Sequence, residues 1–233
     1  MSKKVSILQS NYIPWKGYFD LIAKSDVFVV YDEVQYTKND WRNRNIINTP
    51  NGIQWLTIPV RQETLDQKIF ESKIFTNNWQ KKHISSLQGN YSKAKYFHEY
   101  KEHVFSMYEN QSEFISEVNV SFIKGICKLL DIKTEIIDSR ELNLQGDRNL
   151  RLLEACKKLN ADVYISGPAA KSYLDTDMFT KENIEVDWMD YSGYKEYKQV
   201  FEPFTHGVTV LDLIFNVGPE AKHYMKYITD QSV

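Results

Sequence analysis

Glycine and proline are scarce, at 9 and 6 of 233 residues. That excludes a collagenous or linker-like chain. Cysteine occurs twice, as Cys127 and Cys156, each in apolar surroundings of helical pattern and beside neither a histidine nor a glycine-rich turn. The two predict buried free thiols in a reducing compartment, not a nucleophile. No stretch of about 18 apolar residues occurs, so no helix is expected to span or insert into a membrane. The opening MSKKVSILQS lacks an apolar run of roughly 7–15 residues, so no signal peptide is expected and the chain reads as cytoplasmic. Neither sign of charge dominates: 29 Lys and Arg face 31 Asp and Glu, for a net charge of -2. That balance leaves no bulk electrostatic footprint for nucleic acid or an anionic membrane. The five histidines and two cysteines show no metal-ligand spacing, and no metal cofactor is expected.

Aromatic side chains are abundant: 15 Tyr, 12 Phe and 5 Trp, or 14% of the chain. With 42% hydrophobic residues, that richness excludes a disordered chain and supplies a sizeable core. Val5 to Gln9 predicts a strand that ends before Pro14, and Trp15 to Lys24 has helical spacing. Asp26 to Tyr31 is an apolar run of strand length, as in a strand buried on both faces. Together these predict a βαβ unit. Asn51-Gly52 predicts a turn between Ile46-Ile47 and Gln54–Ile58. Residues 78–129 read as a helical block, 134–137, 162–166 and 184–188 as strands, and the stretch around Leu150–Leu159 and 209–216 as helices. The fold class predicted is α/β, with a parallel Rossmann-like sheet. It forms one domain over 1–233, with 78–129 a helical insertion between sheet halves.

Four stretches carry candidate chemistry. Gln9-Ser10-Asn11-Tyr12 through Gly17-Tyr18 follows the first strand and opens a helix, where open α/β sheets bind ligands. The layout is similar to nucleotidyltransferase-type domains. Those open the corresponding helix with His-x-Gly-His, and here Trp15-Lys16-Gly17-Tyr18 lacks both histidines. Asp32 and Gln35 follow the second strand. Asp40-Trp41-Arg42-Asn43-Arg44-Asn45 offers guanidinium forks for phosphate and rings for stacking. Were it a strand, Arg42 and Arg44 would share one face. His83, in the helical block, is a candidate general base because its ordinary pKa lies near neutrality. Ser166-Gly167-Pro168 through Tyr173-Leu174-Asp175 is a second strand-end turn without P-loop spacing. Asp212, between Leu211 and Leu213, reads as a buried structural acid.

These stretches resemble the WbqC-like family. The resemblance rests on Gln9-Ser-Asn-Tyr-Ile-Pro-Trp-Lys-Gly-Tyr, Asp40-Trp-Arg-Asn-Arg-Asn, Trp55-Leu-Thr-Ile-Pro-Val, Tyr164-Ile-Ser-Gly-Pro-Ala-Ala with Tyr173-Leu-Asp, and Leu211-Asp-Leu with Asn216-Val-Gly-Pro. Ser10 departs from the proline expected there. The family is associated with bacterial O-antigen and related polysaccharide clusters. The resemblance implies transfer of an acyl or aminoacyl group onto an amino sugar.

The function expected is N-acyltransfer from a thioester, on an acyl carrier protein's phosphopantetheine or on coenzyme A, to the amine of a nucleotide-linked amino sugar. Arg42, Arg44 and the helix starts after Asn11 and Gly167 would hold phosphates. Trp15, Tyr18 or Trp41 would stack on a base or sugar. Gln9, Tyr12, Gln35, Asn43, Ser166 and Tyr173 would line the site, and His83, Asp32 or Asp175 would accept the amine proton. The competing expectations are nucleotidyl transfer and a non-catalytic module that binds a nucleotide sugar or a carrier protein.

Overall fold

Val27–Val30 is buried at every position, as a strand covered on both faces must be. It is β2 of a computed structural model that describes residues 2–76 and 78–228. β1 (Lys4–Leu8) leads through α1 (Lys16–Lys24) to β2, and the two strands pair in parallel, so the expected βαβ unit is present. The crossover from β2 is long. It carries the antiparallel pair β3 (Arg44–Thr49) and β4 (Gly52–Thr57), then the short β5 (Val60–Arg61) and β6 (Lys73–Ile74). Three helices follow: α2 (Trp79–Tyr91), α3 (Phe97–Ser106) and α4 (Ile115–Leu129). The chain then returns to the sheet as β7 (Glu135–Asp138), α5 (Arg148–Lys158) and β8 (Val163–Ser166). It ends with α6 (Thr176–Lys181), β9 (Glu185–Trp188) and α7 (Val210–Val217).

The five-stranded sheet runs in the order β7-β2-β1-β8-β9, all parallel. In chain order that is third, second, first, fourth, fifth. The direction of winding therefore reverses between β1 and β8, which makes their carboxyl ends the switch point where open α/β sheets place ligands. The helical block sits in the chain between two strands of the sheet, β2 and β7. β2 and β7 are neighbours, so 79–129 lies within one crossover. Its helices share a single core with α1 and α7, through Phe19, Ile22, Leu87, Phe97, Phe122 and Phe215. The opposite face of the sheet buries α5 and α6 against Val5, Val27, Val29 and Tyr164. β2 shows the period-2 logic: Phe28 and Val30 enter the first core, Val27 and Val29 the second.

Several polar residues inside these cores are paired with one another. Ser25 donates to Ser6 at 2.7 Å across α1 and β1. Asp212 accepts from Tyr91 at 2.9 Å, Tyr197 at 2.8 Å and Gln199 at 2.9 Å, so it is the buried structural acid expected. Cys127 and Cys156 are buried and free, and burial pushes each thiol up to about 12. Among the described residues, no helix is long and apolar enough to cross a membrane.

Candidate functional site at the switch point

Pro14 ends the segment after β1, and the indole of Trp15 folds back over Gly17, where any Cβ would collide with it. That packing opens α1 without a side-chain cap on Trp15. Lys16 turns inward. Its Nζ donates to the Lys195 carbonyl at 3.2 Å and lies 4.9 Å from the Tyr194 ring centre. Burial draws its amine down to about 8, opposed by Asp20 and Asp212.

The segment between β1 and α1 is held from below by Asp32 at the end of β2. Asp32 accepts from the Ser10 amide at 2.8 Å, from the Ser10 hydroxyl at 2.6 Å, and from the Ser116 hydroxyl of α4. Asn119 of α4 adds bonds to Ser10 Oγ at 3.2 Å and to the Arg42 carbonyl at 2.8 Å. Burial raises the Asp32 pKa, while the Ser10 and Ser116 donors pull it down. One buried carboxylate thus fixes β1's end, and through Asn119 the network reaches the 40–44 loop.

Above this network lies a crevice of about 450 Å³ at the ends of β1, β2 and β8. Gln9, Gln35, Arg42, Ser166, Gly167 and Tyr173 all line it, as do Tyr31, Thr37, Tyr164 and Arg148. Arg42 donates to Gln9 Oε1 at 3.2 Å and pairs with Asp40 at 3.2 Å. A guanidinium carries five N–H groups, so donors remain for a ligand. Arg148, the first residue of α5, lies 4.5 Å from the centre of the Tyr173 ring. Asp147 caps that helix by accepting from the Leu150 amide at 3.0 Å, which fixes where Arg148 emerges. The lining therefore holds two guanidiniums, and no aspartate, glutamate, histidine or cysteine. Such a lining favours an anion.

A second cavity, of about 280 Å³, is lined by Asn11, Pro14, Trp15, Trp41, Asn45 and Gly207. Trp41 packs against Trp55 at 5.5 Å, and the Arg44 guanidinium covers Trp55 at 4.1 Å. The Oδ1 of Asn11 is buried without a hydrogen-bond partner. An unpaired buried acceptor costs about 1–3 kcal/mol.

Other expected site residues sit elsewhere, and their placement differs from the sequence expectation for physical reasons. Tyr12 is fully buried. Its hydroxyl bonds His83 Nδ1 at 2.8 Å and Tyr108 at 2.9 Å, and its ring packs on Trp79 and Phe122. His83 is therefore an interior partner of Tyr12, outside the crevice lining, and burial lowers its pKa to about 4. Tyr18 is also interior, and it donates to the Gln9 carbonyl at 2.9 Å. Asn43 is buried and donates to the Ile58 carbonyl at 2.9 Å. Arg44 serves Trp55 and does not line the crevice. Asp32 acts from beneath as a positioning residue. Asp175 is exposed and caps α6 by accepting from the Asp177 amide at 3.1 Å.

Arg148 is the residue that sequence reasoning missed. Its signal was the Asp147 cap one turn before Leu150, since a helix that follows a parallel strand starts at the ligand edge of the sheet.

Comparison with known proteins gives the family of the chain. An "Uncharacterized protein Rv1507c" of Mycobacterium tuberculosis is 45% identical over 227 residues, covering 97% of this chain and 98% of that protein. No solved structure matches the chain. The sequence model of the WbqC-like protein family matches residues 9–224, a span that includes every residue of both cavities, except Ile7 and Leu8 at the crevice edge. The chain belongs to the WbqC-like protein family.

Proposed function

We propose that the chain binds the phosphates of a nucleotide-linked amino sugar in the crevice and transfers an acyl or aminoacyl group onto its amine. The observation that carries the binding half is the convergence of Arg42, Arg148, Gln9 and Ser166-Gly167 at the switch point, with no acidic residue in the lining. Each guanidinium–phosphate contact is worth about 1.5–3 kcal/mol. Arg42→Ala or Arg148→Ala should therefore weaken the ligand by roughly 10- to 100-fold, read by calorimetry.

The transfer half needs little from the protein. An unprotonated amine nitrogen attacks the thioester carbonyl carbon. The C–N bond forms, the C–S bond breaks, and the thiolate of coenzyme A or phosphopantetheine takes up the amine proton. Positioning of the two reactants supplies most of the help such a step requires. The absence of histidine, carboxylate and cysteine from the lining fits a reaction run by positioning. It fits equally a second reading, in which the chain binds a nucleotide sugar without chemistry. His83, Asp32 and Asp175 are not proposed as bases, because none lines the crevice.

Mass spectrometry separates the two readings. The full chain is incubated with acyl-coenzyme A and a panel of nucleotide-linked amino sugars. N-acylated sugar nucleotide with stoichiometric free thiol supports transfer. Binding of a sugar nucleotide without product across several acyl donors supports the binding module.

A further inference from the structure

The second cavity and the crevice have no lining residue in common, but the same two segments of chain contribute to both. Gln9 lines one and Asn11 the other, and likewise Arg42 and Trp41. The two segments are tied together by Tyr12 N–H to the Trp41 carbonyl at 2.9 Å and by Arg42 to Gln9 at 3.2 Å.

The two compartments differ in chemistry. The crevice is cationic, and the cavity has no charged lining residue. Two indoles and Pro14 supply apolar faces. Of the two carboxamides, that of Asn45 is already occupied: it donates to the Tyr12 and Ile13 carbonyls at 3.0 Å and accepts from the Ile46 amide at 2.8 Å. Asn11 Oδ1 has no donor. The lining thus combines aromatic faces with one unpaired acceptor. Trp41 is 42% exposed and packs against Trp55, whose ring the Arg44 guanidinium covers, and this makes it a preset platform.

We propose that this cavity holds the neutral sugar ring of the ligand whose phosphates occupy the crevice. The inference rests on the phosphate reading of the crevice. A pyranose has C–H faces that suit the electron-rich face of an indole, and hydroxyl or amide donors that suit Asn11 Oδ1.

Calorimetry on the full chain tests this with two matched pairs: UDP with UDP-N-acetylglucosamine, and dTDP with dTDP-glucose. Wild type should bind the sugar nucleotide of at least one pair more tightly than its diphosphate. Trp41→Ala should remove roughly 3- to 10-fold of that increment and leave the diphosphate unchanged. Trp41→Phe should keep most of it. Arg42→Ala should weaken both members of the pair. Circular dichroism melts confirm that each variant folds. Equal weakening of diphosphate and sugar nucleotide by Trp41→Ala places the base in the cavity and overturns the inference. So does a wild type that gains nothing from the sugar, or competition by pantetheine that Trp41→Ala relieves. Failure of every diphosphate to bind wild type overturns the crevice reading itself, and this one with it.

Discussion

His83 shows how a residue's surroundings decide its role. A histidine in a helix next to aromatic residues has the ordinary pKa of a general base, but burial against Tyr12, Trp79 and Tyr108 lowers it to about 4. The folded pKa lies below the unfolded value near 6.5. The stability tied to neutral His83 is therefore complete above pH 6.5 and is lost as pH falls toward 4, by about 3 kcal/mol in all. Asp20, Asp32 and Asp212 have raised pKa values and act with the opposite sign. The difference between wild type and His83→Gln thus isolates the histidine. Melting temperature against pH should fall between 6.5 and 4 more steeply for wild type than for His83→Gln; parallel curves would remove the argument. Asp32 makes the second residue-scale prediction. Asp32→Ala strips three hydrogen bonds from Ser10 and Ser116, and should cost about 3 kcal/mol or more in chemical denaturation.

Elements were easier to read than side-chain directions. DVFVVY, the Asn51-Gly52 turn and the helical spacing of 115–129 each signal a local backbone state, and each is present as β2, the β3–β4 hairpin and α4. Gly52 has φ +92 and nothing within 4 Å of a would-be Cβ. Gly52→Ala should therefore cost about 1–2 kcal/mol through backbone strain alone, and a thermal melt would show it. Tyr18 shares the helical face of Leu21 and Ile22, and that face is buried. Tyr12 was not legible as a core residue: it stands in a polar motif whose neighbours give no period, and only tertiary contact with α2 and α4 turns it inward. β5 and β6 are two residues each, too short for any periodicity. Arg42 and Arg44 part company because Arg42 precedes β3 in a turn held by Asp40, while Arg44 begins the strand opposite Thr57.

At the scale of the molecule, the order β7-β2-β1-β8-β9 does what no single motif does. It brings residues 9, 35, 42, 148 and 166–173 to one edge although they are far apart in sequence. The ligand edge was legible from the two strand-end turns, because parallel strands must all finish on the same side. The second cationic residue was not, because α5 begins two residues before its apolar pattern. The crevice as a phosphate site is the central claim. Hydrogen exchange read by mass spectrometry, with and without saturating nucleoside diphosphate, tests it most directly. Binding should slow exchange together in the segments around 7–11, 35–44, 148–152 and 164–173, and leave the α5–α6 surface near Gln145 and Glu182 unchanged. Protection confined to another surface, or none at ligand concentrations that saturate, would contradict it.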